Sequence, residues 1–391
     1  MKTEALFAPL VRGAVIEKTG RPWIVCYDGA AAAEGLRIVL GEKDRDRAGA
    51  IIGEALAGER EIPRRIRIIC GGAEYSYLAA PDCAGIEALR RGKDRDGAGS
   101  TEEAPPDAGP WTAARRAGVV RNRVALVTGG AQGFGAEIVR GLAAAGAIVY
   151  IADLNAAGAR ELAEKLNGEY GRPVAFPVEV DVADEESVRR MAGIIALGAG
   201  GLDLCVSNAG VLRAAGILEQ DMASFEFVTG INYTAFAMVT KHCGLLMKAQ
   251  NEAAPSWMTD IIQINSKSGL EGSGKNGSYA GSKFGGIGLV QSFAKELVEY
   301  RIKVNAVCPG NFYEGPLWSD PVKGLFVQYL NTGKVPGAKT VEDVRAYYEA
   351  KVPMGRGCSG PDVMRAVFYL VEQEYETGQA LPVTGGQVMM H

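Results

Sequence analysis

A glycine-rich turn between an apolar run and a helical pattern constrains the fold of this chain more than any other feature. The apolar run is Val124–Val127, the turn is Thr128–Gly135, and the helical pattern covers Ala136–Ala145. Glycines let a backbone approach a pyrophosphate closely, and the start of a helix presents free N–H groups and the positive end of a dipole. A strand, a turn and a helix in this order are the context of a dinucleotide-binding site in an α/β fold.

An acidic residue follows where the ribose of such a dinucleotide would lie. The next apolar run, Ile148–Ala152, ends at Asp153, which is 18 residues after Gly135. A carboxylate at this point accepts hydrogen bonds from the ribose hydroxyls of NAD and repels the extra phosphate of NADP. The sequence therefore predicts NAD as the cofactor. The alternative explanation is a structural glycine turn in an α/β sheet.

Four further apolar runs alternate with helical stretches downstream of this unit. Such alternation predicts a doubly wound parallel sheet of the Rossmann type, covered by helices on both faces. Ligands bind beyond the carboxyl ends of the strands in these sheets, so Asn208, Ser266 and Pro309 would meet the glycine-rich turn there. The four predicted strands are Val178–Val182, Leu202–Val206, Asp260–Ile264 and Lys303–Val307.

A serine, a tyrosine and a lysine have the spacing of a proton-transfer site. Tyr279 and Lys283 are four residues apart, so they share one face of a helix, and Ser266 lies 13 positions before Tyr279. A neighbouring ammonium favours the phenolate and lowers the tyrosine pKa, which lets the phenol exchange a proton with a substrate hydroxyl. Ser266 would orient the same substrate oxygen. An exposed helix with an unrelated tyrosine and lysine is the alternative.

Together these motifs resemble the short-chain dehydrogenase/reductase superfamily over residues 120–391. The resemblance implies hydride transfer between a nicotinamide cofactor and an alcohol or ketone. It implies that Tyr279 is the general acid/base, that Lys283 lowers its pKa and holds the nicotinamide ribose, and that Ser266 orients the substrate. Asn232 matches the fourth catalytic residue of the superfamily, which implies a proton relay through water.

The same resemblance implies which residues contact the cofactor. Asp181 and Val182 match the position that contacts the adenine, and Asn208 matches the residue that steadies the central strand. The full set is Gly129, Gln132, Gly133, Phe134, Gly135, Asp153, Asp181, Val182, Asn208, Ala209, Gly210, Tyr279, Lys283, Pro309 and Gly310.

Within the superfamily, the chain resembles the bacterial sorbitol-6-phosphate 2-dehydrogenases, which interconvert sorbitol 6-phosphate and fructose 6-phosphate with NAD. The likeness implies a sugar or polyol phosphate as substrate. Two departures stand against it, since those enzymes lack the first 120 residues and Pro309-Gly310 follows the wider superfamily. The segments that carry the likeness are 262–269, 283–286, 315–358 and 383–389.

Lys267 is the first candidate for holding the phosphate, because it directly follows Ser266, where the superfamily usually has a small or apolar residue. Ser266 is the predicted contact of the reacting oxygen. Since a phosphate offers several acceptor oxygens, further candidate donors to it are Asn265, Lys275 and Asn311. The alternative is that Lys267 pairs with Glu271 and only stabilises its loop.

The first 91 residues predict a small α/β unit of unknown role. Its predicted elements are strands at Ala14–Glu17, Trp23–Tyr27 and Ile66–Ile69 and helices at Ala30–Leu40 and Ala48–Leu56. Residues 92–120 are rich in glycine, proline and charge and predict a linker, which places the dehydrogenase domain at 121–391. We expect a chain that starts near Arg121 to fold and bind the cofactor by itself.

Composition limits the class of protein further. The net charge of −4 argues against a general nucleic-acid binder, and no apolar run reaches the roughly 18 residues that span a bilayer. The two histidines, His242 and His391, give poor support for a metal site. Seven scattered cysteines favour reduced thiols in the cytoplasm. The superfamily resemblance implies a homodimer or homotetramer.

Three functions therefore compete. The first is an NAD-dependent dehydrogenase of a polyol phosphate, and the second uses the same mechanism on an unphosphorylated sugar, polyol or other secondary alcohol. The third is a sensor or scaffold that binds NAD without turnover, against which the complete set of Ser266, Tyr279 and Lys283 argues.

Overall fold

The computed structural model describes residues 3–29, 35–41, 44, 47–91 and 118–389. The described residues form a four-stranded mixed sheet before residue 92 and a seven-stranded parallel sheet after residue 118. The predicted fold class, a Rossmann-type sheet with a smaller α/β unit in front of it, is therefore confirmed.

The N-terminal unit packs two helices against one face of its sheet. The strand order is β1-β4-β3-β2, in which β2 runs parallel to β3 and the other neighbours are antiparallel. Phe7, Val11, Ile52, Ile66 and Ile68 form much of the buried core between the helices and the sheet. In chain order the elements are α1 (Thr3–Thr19), β1 (Ile24–Tyr27), β2 (Leu36–Leu40), α2 (Ala48–Ala57), β3 (Arg65–Cys70), β4 (Ala73–Ala80) and α3 (Cys83–Arg90).

Two sequence predictions in this unit are wrong. The strand predicted at Ala14–Glu17 is the end of helix α1, whose apolar face packs against α2. The helix predicted over Ala30–Leu40 is a strand in its described part, Leu36–Leu40, where Ile38 and Leu40 are buried between exposed neighbours. Residues 30–34 lie outside the described residues. The strands near residues 24 and 66 and the helix at residue 48 are confirmed.

The second unit contains the seven-stranded sheet, with strand order β11-β10-β9-β8-β5-β6-β7. All its strand pairs are parallel. The predicted strands are present, although β7 lies three residues before its predicted place. The elements are β5 (Val124–Thr128), α4 (Gly133–Ala144), β6 (Ile148–Asp153), α5 (Ala156–Tyr170), β7 (Ala175–Glu179), α6 (Glu185–Ala199), β8 (Leu204–Ser207), α7 (Met222–Thr229), α8 (Ala235–Glu252), β9 (Thr259–Ile264), α9 (Gly277–Leu297), β10 (Ile302–Pro309), α10 (Pro316–Ser319), α11 (Leu325–Asn331), α12 (Val341–Glu349), α13 (Gly360–Glu372) and β11 (Ala380–Val383).

Residues 313–352, here called the cap, contain the three short helices α10 to α12. The cap has an apolar cluster of its own, in which Trp318 packs against the rings of Tyr313, Phe326, Tyr329 and Tyr348. Because the cap follows β10, it starts at the carboxyl edge of the large sheet, where ligands of such sheets bind.

The N-terminal unit packs against the second unit on the side away from the cap, near the amino ends of the strands of the large sheet. Arg12 of α1 forms a buried ion pair with Asp203, which precedes β8; their closest atoms are 2.7 Å apart and both side chains are 0% exposed. Asp203 also accepts hydrogen bonds from the backbone of Val124 at 2.7 Å and from the indole of Trp257 at 3.0 Å. A continuous apolar core joins the two units.

The boundary between the two units remains a prediction, because residues 92–117 lie outside the described residues. None of the helices in the described part of the chain is long and apolar enough to cross a membrane. The seven cysteines are free thiols.

Candidate active site

The glycine-rich turn has the backbone geometry that a bound pyrophosphate requires. Gly129 and Gly133 have φ values of +62° and +57°. A Cβ atom on Gly135 would lie 1.9 Å from the carbonyl oxygen of Gly129, and one on Gly129 would lie 2.9 Å from the Cα of Ala209. Only glycines fit these contacts, and helix α4 begins at Gly133 with its N–H groups facing outward along the helix axis. These residues fit a dinucleotide.

Asn208 fixes this turn to the end of β8. Its side-chain amide donates hydrogen bonds of 3.0 Å to the carbonyl oxygens of Thr128 and Gly129, and its backbone N–H donates to the Thr128 hydroxyl. The N–H of Ala209 donates to the same hydroxyl at 3.2 Å. These bonds connect the glycine-rich turn to the end of β8, as a residue that steadies the central strand would do. Gly210 follows Ala209 in the chain.

Asp153 lies at the end of β6, where the sequence predicts the ribose contact. Its two carboxylate oxygens accept hydrogen bonds of 2.9 Å from the backbone N–H groups of Ala131 and Asn155. The carboxylate is thereby held against the glycine-rich turn. Asp181 follows β7 and accepts a bond of 2.9 Å from the N–H of Ala183.

Ser266, Tyr279 and Lys283 meet beyond the carboxyl end of β9. The Ser266 hydroxyl accepts a hydrogen bond from the Ser268 N–H at 3.1 Å. Tyr279 and Lys283 lie on the first turns of α9, and the Lys283 ammonium is 5.7 Å from the centre of the Tyr279 ring. Lys283 is buried, and its ammonium donates to the Ile264 carbonyl at 2.9 Å. The spacing in the sequence thus brings all three side chains into one site.

The pKa values of the pair differ from the sequence-based expectation. Burial raises the pKa of Tyr279, although a hydrogen bond with Ser266 acts in the opposite direction. Burial also lowers the pKa of Lys283 to about 8. The expected lowering of the tyrosine pKa by Lys283 is not seen, because loss of hydration has the larger effect on the phenolate.

Asn232 lies in one turn of π-helix, Gly230–Thr234, between α7 and α8. Its amide donates to the Val211 carbonyl at 2.9 Å and accepts from the Val211 N–H at 2.8 Å. A cavity of about 10 Å³ lies between Asn232, Lys283 and the buried amide of Gln263. The Gln263 side-chain nitrogen has no hydrogen-bond partner among the residues that the structure describes. A polar cavity of this size has room for about one water molecule, which a proton relay requires.

Two residues of the site were missed by sequence reasoning. Cys308, near the end of β10, is buried beside Lys283, and burial raises the pKa of its thiol to about 12. Phe312 stacks on Phe134 of the glycine-rich turn, with 4.5 Å between the ring centres. Neither residue belongs to a motif, although Cys308 directly precedes Pro309-Gly310, which marks this strand end in the sequence, and Phe312 lies two residues after it.

Of the predicted substrate residues, Lys267 lies at the catalytic loop and Asn311 contacts the cap. Lys267 begins a short 3₁₀ turn after Ser266 and is half-buried. No ion pair within 4 Å joins it to Glu271 among the described residues. The amide of Asn311 donates to the Tyr313 hydroxyl at 3.2 Å. Among the described residues no group of three or more His, Cys, Asp or Glu side chains is arranged to hold a metal ion.

Comparisons with known proteins agree with this geometry. The family described as short chain dehydrogenase matches residues 123–319. Sorbitol-6-phosphate 2-dehydrogenase of Escherichia coli K12 is 36% identical over 270 residues, which are 68% of this chain and 99% of that protein. Trans-4-hydroxycyclohexanecarboxylate dehydrogenase of Sinomonas cyclohexanicum is 32% identical, over 68% of this chain and 93% of that protein.

A solved structure extends the similarity to the fold. The crystal structure of sorbitol-6-phosphate 2-dehydrogenase from Erwinia amylovora superposes with a TM-score of 0.62 at 38% identity, covering 68% of this chain and all of that chain. The family match, the parallel sheet and the convergence of Ser266, Tyr279 and Lys283 lead to one assignment. The chain belongs to the short-chain dehydrogenase family and is an oxidoreductase that acts on CH–OH groups.

Proposed function

We propose that this protein interconverts a secondary alcohol and a ketone of a sugar or polyol phosphate with NAD, as in the pair sorbitol 6-phosphate and fructose 6-phosphate. The main support for this reaction is that Ser266, Tyr279 and Lys283 lie together beside the glycine-rich turn. Similarity to sorbitol-6-phosphate 2-dehydrogenases across the whole second unit supports the substrate class. Lys267, next to Ser266, supports a phosphorylated substrate.

NAD would be held by the glycine-rich turn, the start of α4 and Asp153. When bound, it supplies an acceptor for the hydride of the alcohol carbon. The carboxylate of Asp153 is fixed by two backbone N–H groups and keeps lone pairs for ribose hydroxyls. An added 2′-phosphate would meet this negative charge at short range, which favours NAD over NADP.

The protein groups then handle the proton of the alcohol. Ser266 hydrogen-bonds the substrate oxygen and orients it toward Tyr279. In oxidation the Tyr279 phenolate takes the hydroxyl proton, and in reduction the phenol returns it. Lys283 and the small polar cavity at Asn232 provide a route by which that proton reaches solvent. Lys283 and Asn232 are buried, which strengthens their electrostatic interactions.

A second candidate is the same reaction on another secondary alcohol. The similarity to a hydroxycyclohexanecarboxylate dehydrogenase favours it, because that protein acts on a ring alcohol without a phosphate. The two candidates differ in whether the enzyme prefers a phosphorylated substrate.

A substrate panel separates these functions. The full chain is assayed for NAD reduction with sorbitol 6-phosphate, other hexitol phosphates, the matching free polyols and a cyclic hydroxy acid. The proposal predicts the highest kcat/KM for a hexitol phosphate. A higher kcat/KM for a free alcohol would favour the second candidate, and NAD binding without turnover of any alcohol would favour a sensor.

The oligomeric state remains a prediction. Leu245 of α8 and Phe284 of α9 are large apolar side chains with 57% and 46% of their surface exposed. Such exposed apolar residues fit the predicted homodimer or homotetramer if its copies pack partly through α9, the helix that carries Tyr279.

A further inference from the structure

Four lysines from three separate segments lie near the contact between the cap and the loop that contains Ser266. Lys267 and Lys275 lie between β9 and α9, Lys334 follows α11 and Lys351 follows α12. We call these four residues the lysine cluster. The first two belong to the loop that contains Ser266, and the other two belong to the cap.

Aromatic rings of the cap fix two of the ammonium groups. The Lys334 ammonium lies 3.9 Å from the centre of the Tyr329 ring, and the Lys351 ammonium lies 4.1 Å from that of Tyr347. Cation–π contacts hold a lysine in place without neutralising its charge. Both ammonium groups therefore remain available to an anion.

Tyr329 connects the cap to the catalytic loop. It is buried, and its hydroxyl lies 3.5 Å from the amide nitrogen of Asn276, the residue after Lys275. Asn276 directly precedes helix α9, so Tyr329 lies at the start of the helix that carries Tyr279. The lysine cluster is thus attached to the site where the alcohol reacts.

Among the described residues no carboxylate lies within 4 Å of the four ammonium groups of the lysine cluster, so their positive charges are poorly compensated. Burial and, after it, the positive charges of Lys267, Lys275 and Lys351 together lower the pKa of Lys334 to about 8. Glu271 acts in the opposite direction on Lys267. Concentrating like charges is unfavourable unless an anion binds among them.

We propose that the lysine cluster binds the phosphate monoester of the substrate, with Lys334 as its central contact. This inference rests on the proposed function and names the residues that would make it specific for phosphorylated substrates. A phosphate monoester has a charge of about −1.5 to −2 at pH 7 and three acceptor oxygens, which suit several lysines at once. The alcohol end of the same molecule would lie at Ser266 and Tyr279.

Variants of the lysine cluster test this inference. In Lys334→Met and Lys351→Met, the ratio of kcat/KM for sorbitol 6-phosphate over sorbitol should fall about tenfold, the factor that corresponds to 1.4 kcal/mol of lost binding. Lys334→Arg keeps the charge and should retain most of the ratio. Lys339→Met removes an exposed lysine of the cap outside the cluster and should leave the ratio unchanged. If Lys334→Met and Lys351→Met keep the ratio of the wild-type enzyme, the inference is overturned.

Inorganic phosphate provides a readout that does not depend on the identity of the natural substrate. It should compete with whichever alcohol the enzyme oxidises best, and Lys334→Met should raise its inhibition constant about tenfold. If no polyol phosphate is oxidised, but phosphate competes with the alcohol and inhibits Lys334→Met more weakly, the lysine cluster binds phosphate and the proposed function is wrong. If sorbitol 6-phosphate is a good substrate but no variant changes the ratio or the inhibition constant, the proposed function is supported and phosphate binding by the lysine cluster is refuted.

Discussion

Tyr279 must lose its proton before it can accept one from an alcohol, and burial raises its pKa. Alcohol oxidation should therefore become faster as pH rises toward that pKa, whereas ketone reduction, which needs the protonated phenol, should become slower. The hydrogen bond with Ser266 lowers the same pKa, so Ser266→Ala should move both profiles to higher pH. Profiles of kcat/KM against pH in both directions measure the shift. A shift to lower pH would contradict the assignment.

Asp153 should determine the choice of cofactor. Replacing it with serine removes the negative charge that would face a 2′-phosphate, so the ratio of kcat/KM for NAD over NADP should fall in Asp153→Ser. Asp181→Ser is a suitable control, because Asp181 is a predicted contact of the adenine, which NAD and NADP share. A wild-type enzyme that prefers NADP would disprove the NAD assignment.

At the scale of residues, sequence spacing predicted the convergence of Ser266, Tyr279 and Lys283, because helix periodicity and strand ends determine where they lie. It did not predict Cys308 or Lys334. Cys308 comes to the site as part of a strand with no motif signal. Lys334 comes to it only because the apolar cluster of the cap places α11 above the catalytic loop.

At the scale of elements, the strands and helices of the second unit follow from their apolar patterns, and the errors lie in the N-terminal unit. Ala14–Glu17 was predicted as a strand because Thr19-Gly20 resembles a turn between it and Trp23–Tyr27, but packing of α1 against α2 and α8 keeps it helical. In Leu36–Leu40 more buried and more exposed residues alternate, as in a half-buried strand, but the sequence shows this pattern poorly because the exposed Val39 is apolar. Tertiary contacts therefore overrode the local pattern at Ala14–Glu17. At Leu36–Leu40 the prediction was wrong because the stretch was taken together with the alanine-rich run before it.

The π-helical turn at Asn232 could not have been predicted from periodicity. One extra residue in a turn rotates Asn232 so that its amide engages both backbone groups of Val211. Such turns are frequent at functional sites. The family motif indicated the residue, and the structure provides the backbone reason for its orientation.

At the scale of the whole molecule, the N-terminal unit and the large sheet depend on each other. Arg12→Met would leave the buried carboxylate of Asp203 without its cation, so the free energy of unfolding should fall by about 3–5 kcal/mol. Arg12→Met combined with Asp203→Asn should recover part of this loss. Arg189→Met, which breaks an exposed ion pair with Glu186, is the control and should cost at most about 1 kcal/mol. Urea unfolding measures all four proteins, and an unchanged stability of Arg12→Met would contradict this account.

The expectation that a chain starting near Arg121 folds and binds the cofactor remains a prediction. Removal of the N-terminal unit would expose apolar residues of α6 and β6 that now share a core with β1 and α3. We therefore expect the shortened chain to unfold at a lower temperature than the full chain. The active site lies at the opposite edge of the sheet, so cofactor affinity should change less than stability.

The central claim is that Tyr279 catalyses NAD-dependent oxidation of a polyol phosphate. The most direct measurement is the steady-state rate of NADH formation from sorbitol 6-phosphate by the wild-type protein and by Tyr279→Phe. The variant keeps the ring but cannot accept the proton, so its kcat should be lower by at least about 10²-fold while NAD still binds. Near-normal turnover in Tyr279→Phe, or no turnover of sorbitol 6-phosphate by the wild-type protein, would contradict the account.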